Sequence, residues 1–227
     1  MTAPLFYADL SHGDEVTLSA DDVRHAAGAM RLRRGEVVLV GDGVGRIATC
    51  RVQSADRRAV VVAIDEIEYV PARRELTVVQ AIPKGERGDL AVELLTETGA
   101  SRIVPWASAR TVADWRGKER GKVDRWRRVA KAAAMQSRRP YLPEVTELLS
   151  GVPEQPTFVL HESAHTSLFD LVLPAGPLTV VVGPEGGLTE EEVSAMGGTP
   201  VLLGPEILRT STAGAAACVW IRSVDRH

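Results

Sequence analysis

The sequence predicts an α/β protein in two parts, a small N-terminal β-barrel over residues 1–72 and a mostly parallel α/β domain over 75–227. Three observations predict it. Before residue 70, short β-branched runs alternate with turn signals. After residue 75, short apolar runs alternate with segments of helical spacing. Near the C-terminus, two glycine-bearing loops, VVVGPEGGLTEEE (180–192) and LLGPEILRTSTAG (202–214), each follow an apolar run and lead into a helix.

In the first part, EVTLS (15–19), EVVLVGDGVGRIATCRV (36–52) and AVVVAIDEIEYV (59–70) read as strands, with Gly41-Asp42-Gly43 as a hairpin turn. That turn has a GxGxxG look, but strands flank it on both sides, so a dinucleotide reading does not follow. ADDVRHAAGAMRL (20–32) reads as one helix, with Val23, Ala26, Ala27 and Met30 on one face. Pro71-Ala72-Arg73-Arg74 is the expected linker.

In the second part, LTVVQAI (76–82) reads as a buried strand, 89–98 as a helix and RIVPW (102–106) as a second strand. A strong amphipathic helix follows over 122–137, with Val123, Trp126, Val129, Ala130, Ala133 and Ala134 at helical spacing. TFVLH (157–161), LTVVV (178–182) and PVLL (200–203) are short apolar strands, and residues 213–224 close the chain as a small-residue helix.

Composition is that of an ordinary globular protein, with 44% hydrophobic and 25% charged residues in 227. No apolar run is long enough to span a membrane, and MTAPLFYADL lacks the basic start and apolar core of a leader. Cys50 and Cys218 are isolated. A cytoplasmic protein without membrane association is expected.

The formal charge of −3 conceals an asymmetry. Residues 110–139 hold eleven Lys and Arg against three acidic residues, a net +8, and residues 140–227 hold three basic and eleven acidic, a net −8. A +8 block interleaved with Trp115 and Trp126 predicts contact with a nucleic-acid backbone, against the plainer reading of a solvated helix face.

Two loops after neighbouring strand ends can converge on one ligand at the carboxyl edge of a parallel sheet. Gly183-Pro184-Glu185-Gly186-Gly187 lacks the Lys-Ser/Thr ending of a phosphate cradle. Thr189 and Glu192 form a capping box, and Glu190, Glu191 and Glu192 load the next helix start with negative charge. A polyphosphate is disfavoured there. A ligand with a positive centre, hydroxyls and an apolar base is tolerated, and S-adenosylmethionine has all three.

His161-Glu162-Ser163-Ala164-His165 matches the HExxH of zinc peptidases. That chemistry needs both histidines on one helix face, and here the motif begins at a strand end. No metal is expected; a zinc hydrolase using His161, Glu162 and His165 is the weakest alternative.

Five ordered segments carry a family resemblance: Ile82-Pro83-Lys84-Gly85, Leu95-Thr96-Glu97-Thr98-Gly99, AAAMQSRR (132–139) and the two C-terminal loops. Together they resemble the RsmE-type ribosomal RNA methyltransferases of the SPOUT superfamily over nearly the whole chain. The resemblance implies an N-terminal PUA-like RNA-binding barrel, a SPOUT domain with a trefoil knot and an obligate homodimer. It also implies methyl transfer from S-adenosylmethionine to N3 of a uridine in 16S ribosomal RNA, within the small subunit.

By the same resemblance, Leu160, His161, Gly183, Pro184, Glu185, Gly186, Gly187, Leu203, Gly204, Ile207, Leu208, Arg209 and Thr210 hold the cofactor. Arg209 is the expected catalytic cation facing the uracil oxygens. Lys84, Gln136 and Arg138, with Arg127 and Arg128 on the basic helix, are the expected RNA contacts. Two positions depart from the family pattern: Glu206 stands where Arg is usual, and Ser211 where Glu is usual. The second removes a carboxylate from the helix start, so Glu185 or Glu97 becomes the candidate base, or Arg209 acts alone. A non-catalytic RNA-binding protein of the same fold is the remaining alternative.

Overall fold

The computed structural model describes residues 3–11, 13–19, 32–56, 59–154 and 156–225. The helix expected over 20–32 lies, save its last residue, outside them. The chain separates into two compact units, Met1–Ala72 with Ala134–Leu142, and Arg73–Ala133 with Pro143–His227.

The first unit is a five-stranded sheet in the order β1 (Leu5–Tyr7), β3 (Val37–Gly41), β4 (Arg46–Ala55), β5 (Ala59–Tyr69), β2 (Glu15–Ser19). The β1–β3 pairing is parallel and the others antiparallel. Register shifts in β4 at Thr49/Cys50 and Val52/Ser54 let the sheet curl, as bulges do. Alternate residues point inward, so Phe6, Leu18, Val38, Val40, Val60 and Val62 form its core. The hairpin expected at Gly41–Gly43 is present. Asp42 closes it, accepting from the Val44 and Arg46 N–H groups and from the Arg46 guanidinium at 2.7 Å. Burial pulls the Asp42 carboxyl upward, but these donors outweigh it and leave its pKa lowered.

Ala134–Leu142 returns to this unit, although the expected boundary at 75 assigns it to the second. Ala134 and Met135 join its core, and the Tyr7 hydroxyl donates to the Arg139 carbonyl at 2.6 Å. Gly45 N–H donates to the Pro140 carbonyl, and the Tyr141 hydroxyl to the Val70 carbonyl. Burial pushes the Tyr7 hydroxyl up to about 12, with Arg139 pulling the other way.

The second unit holds a sheet in the order β12 (Thr199–Val201), β10 (Phe158–Leu160), β11 (Leu178–Val182), β6 (Leu76–Ala81), β7 (Arg102–Ala107), β8 (Glu144–Val145). A further short strand, β9 (Leu149–Ser150), also pairs with β7, and every pairing is parallel. Both faces are covered, which is why these strands read as continuous apolar runs. Val78, Ile103 and Val180 face one side with Leu95, Trp126 and Ile221 of the helices; Val79, Val159 and Val181 face the other with Met196.

Among the described residues the α-helices are α1 (Arg87–Glu97), α2 (Glu119–Gln136), α3 (Glu190–Met196) and α4 (Thr210–Val224). Helix α4 begins three residues earlier than its spacing predicts, which places Arg209 at its N-cap. Trp115 and Trp126 are corrected from the nucleic-acid reading: both are buried and stack edge to face, ring centres 5.1 Å apart. Both rings lie in the core cluster with Ile103, Val123 and Ala130. The expected linker is coil, but Arg74 is anchored, pairing with Asp225 at 3.0 Å while its carbonyl accepts from Arg222. Among the described residues, no helix is long and apolar enough to cross a membrane.

Candidate active site

Strands β10, β11 and β12 end side by side, with Leu160 in register with both Val182 and Val201. The three loops that leave these residues therefore open on one stretch of the carboxyl edge, where ligands of parallel sheets sit. The first is stitched to the third: His161 N–H donates to the Val201 carbonyl, Leu202 N–H to Thr166, and Leu168 N–H to Leu202. Together the loops enclose a cavity of about 680 Å³, within the size range of small-molecule sites.

The middle loop is a tight turn, with Gly187 N–H donating to the Pro184 carbonyl at 2.9 Å and Gly187 at φ +72°. A side chain there would be strained. At Gly183, an added Cβ would lie 2.9 Å from Leu188 Cγ, so the absent side chain lets Leu188 tuck beneath the loop. The expected capping box starts α3: Thr189 Oγ1 accepts from Glu192 N–H at 3.1 Å and Glu192 Oε2 from Thr189 N–H at 3.0 Å. The Glu191 carboxyl is lowered by its own backbone N–H, and next by the Thr189 hydroxyl.

All thirteen residues expected at the cofactor line this cavity: Leu160, His161, Gly183, Pro184, Glu185, Gly186, Gly187, Leu203, Gly204, Ile207, Leu208, Arg209 and Thr210. Arg209 is exposed, has extended backbone and caps α4 without a side-chain bond, while its carbonyl accepts from Thr212 and Ala213 N–H. Glu185 is also exposed, and both its carboxylate oxygens accept from Lys84 N–H, at 3.2 and 3.3 Å. The acidic lining is heavier than sequence suggests, since Glu162, Glu190 and Glu206 join Glu185 around Arg110 and Arg209.

Several other residues take different places. Lys84 sits on the loop after β6, exposed beside Glu185. Arg127 and Arg128 are both exposed, and Arg127 is tied on α2 by ion pairs with Asp124 (3.0 Å) and Glu147 (2.6 Å). Gln136 and Arg138 belong to the N-terminal unit, Arg138 with a positive φ of 51°. Glu97 is not brought to the cavity: it ends α1, two residues before the Gly99 carbonyl that accepts from Arg222. Ser211, where the resemblance implies a carboxylate, is buried with its hydroxyl unbonded.

The HExxH segment is turn and bend rather than helix, and His161 Nδ1 accepts from Ser163 N–H at 3.2 Å. Its two histidines therefore do not share a helix face. Arg110, counted by sequence only within the basic block, also lines the cavity. It comes from the loop after β7, too far along the chain for spacing to place it.

The chain matches the RNA methyltransferase domain over residues 70–222 and the RNA methyltransferase PUA domain over 18–65. It is 43% identical to the ribosomal RNA small subunit methyltransferase E of Mycobacterium bovis, covering 96% of this chain and 90% of that protein. To the protein of that name from Bacillus subtilis it is 32% identical, over 87% and 85%. Its fold matches the crystal structure of a ribosomal RNA small subunit methyltransferase E from Neisseria gonorrhoeae bound to S-adenosyl methionine, with a TM-score of 0.87, 28% identity and 98% of each chain covered. With these matches and the strand-end cavity in the matched domain, the chain belongs to the ribosomal RNA small subunit methyltransferase E family of RNA methyltransferases.

Proposed function

We propose that this protein transfers a methyl group from S-adenosylmethionine to N3 of a uridine in the 16S RNA of the small ribosomal subunit. The observation that carries this reading is the convergence of three strand-end loops on one acid-lined cavity in an RNA methyltransferase domain. The residues present fit the donor. Glu162, Glu185, Glu190 and Glu206 favour a cationic centre and oppose a polyphosphate, and the glycine turn leaves backbone groups open to a nucleoside.

When bound, the donor supplies an electrophilic methyl on a sulfonium sulfur. The chain's own residues do the rest. Uracil N3–H is a weak acid, so its proton must leave and the charge that develops on the ring oxygens must be met. Glu185 takes the proton, its carboxylate steadied by Lys84 N–H. Arg209, exposed in the lining of the same cavity, faces the oxygens. Glu185 is preferred to Glu97 as the acceptor because Glu97 lies outside the cavity lining.

Residues 1–72 are the RNA-binding PUA-like part and 75–227 the knotted methyltransferase domain in this reading; an experimental trace through residues 160–224 tests the knot. The homodimer belongs to the same reading, and sedimentation velocity reads it directly as mass. RNA contacts come from Lys84, Arg127, Arg128, Gln136 and Arg138. Reversing charge at Arg127 and Arg128 is expected to weaken RNA binding and reduce the salt slope by roughly one to two units. Arg128 carries more of the loss, because Arg127 already has carboxylate partners. An unchanged slope removes α2 from the contact surface.

The reaction is tested with small subunits from cells that lack the modification, labelled donor and mapping of the methylated base. Methyl at uridine N3 is the expected result. Donor binding without methylation of any RNA overturns the proposal in favour of a binding protein.

A further inference from the structure

The turn that shapes the cavity is held from a loop outside the family's two C-terminal motifs. Arg110 Nη1 donates to the carbonyl oxygens of Gly186 at 3.0 Å and Leu188 at 3.4 Å. Its Cβ lies 3.3 Å from where a Cβ on Gly186 would sit, so the arginine lies flat against the turn. One residue earlier, Ala109 N–H donates to Glu192 Oε1 at 2.8 Å, and the second oxygen of that buried carboxylate accepts from Thr189 N–H. The loop is itself braced, with Ser108 N–H donating to Thr111 Oγ1 and the two hydroxyls 2.8 Å apart. Residues 109 and 110 thus grip the segment 186–192 at both of its ends.

We propose that Arg110 is a positioning residue for the methyl donor, holding the Gly183–Gly187 turn in the shape that receives S-adenosylmethionine. The inference rests on the donor reading above. Arginine suits the task because the Nη1 of a permanently charged group, oriented by its planar guanidinium, reaches both carbonyl oxygens, where a lysine offers a mobile point charge. Charge-assisted bonds are also the stronger kind, so their loss releases the turn rather than merely weakening it. Arg110 acts through the loop, and the transferring methyl need never touch it.

The test compares Arg110→Ala and Arg110→Lys with the wild type in the full-length protein. The alanine variant is expected to raise the donor Kd, by calorimetry, and the donor KM about tenfold or more, with kcat at saturating donor and the RNA KM within about threefold. The lysine variant is expected to recover part of the donor affinity, as a single bond to the Gly186 carbonyl returns. In ligand-free protein, exchange of the Gly187 amide is expected to quicken in the alanine variant. Unchanged donor affinity in both variants, or unchanged Gly187 exchange, overturns the proposal alone. A fall in kcat at unchanged donor KM also overturns it, by making Arg110 part of the chemistry. Failure of the wild type to bind donor overturns the donor reading and this inference with it.

Discussion

Arg209→Ala is expected to lower methyl-transfer turnover by roughly 10²–10³-fold, the usual loss when one preorganised charge-stabilising group is removed. RNA affinity is expected to stay within about twofold, since one exposed cation adds little to a multi-phosphate contact. The reason for the split lies in the position of the residue. Arg209 is the N-cap of α4, its backbone held by Thr212 and Ala213, while its side chain takes no part in capping. Alanine therefore keeps the helix start and removes only the charge in the cavity lining. Single-turnover rates and RNA binding on one preparation check the result. Equal loss of both withdraws Arg209 from the chemistry.

Trp126→Ala is expected to destabilise the second unit by about 3–5 kcal/mol, the range for deleting a buried tryptophan. The ring is 2% exposed, meets Trp115 edge to face and lies within the cluster that joins α1, α2 and α4 to the sheet. Its indole also fills the space beside Gly88, where an added Cβ would fall 3.1 Å from Nε1. Thermal or denaturant unfolding reads the effect. A folded variant of unchanged melting temperature that loses RNA affinity would restore the ring to the nucleic-acid surface.

The fold was legible because both of its signals are local. Period-2 alternation marks the first sheet, and continuous apolar runs mark a sheet covered on both faces, so β2 through β7 and β10 through β12 fall close to their expected positions. The capping box at Thr189 and Glu192 was equally local and is present as read. The cavity lining was legible through the family motifs, since backbone shape needs particular glycines at particular places.

What escaped was long-range. Trp115 sits in a basic run with no periodic signal, and charge counting also sets Trp126 on the surface although its helical spacing already puts it on the apolar face of α2. Arg110 reaches the glycine turn only because β7 and β11 end at the same edge of the sheet, a relation that strand order creates and spacing does not. Glu97 looked available because it stands in a family motif, yet it ends α1 away from the cavity lining. Helix α4 gained its first turn from the packing of Thr210 and Ser211, both buried, on the sheet.

The return of Ala134–Leu142 to the N-terminal sheet has a consequence for synthesis. Domains emerging from a ribosome generally fold in order, first made first folded. Here the first 72 residues leave the tunnel without the groups that meet the Tyr7 hydroxyl, the Gly45 N–H and the Val70 carbonyl, which residues 139–141 supply. The nascent sheet must wait, incomplete, while β6, α1, β7 and α2 are translated. Five of the second unit's seven strands are still unmade when residue 142 appears, so the two units finish in interleaved order, and a fragment cut at residue 72 would be a sheet missing its last seam.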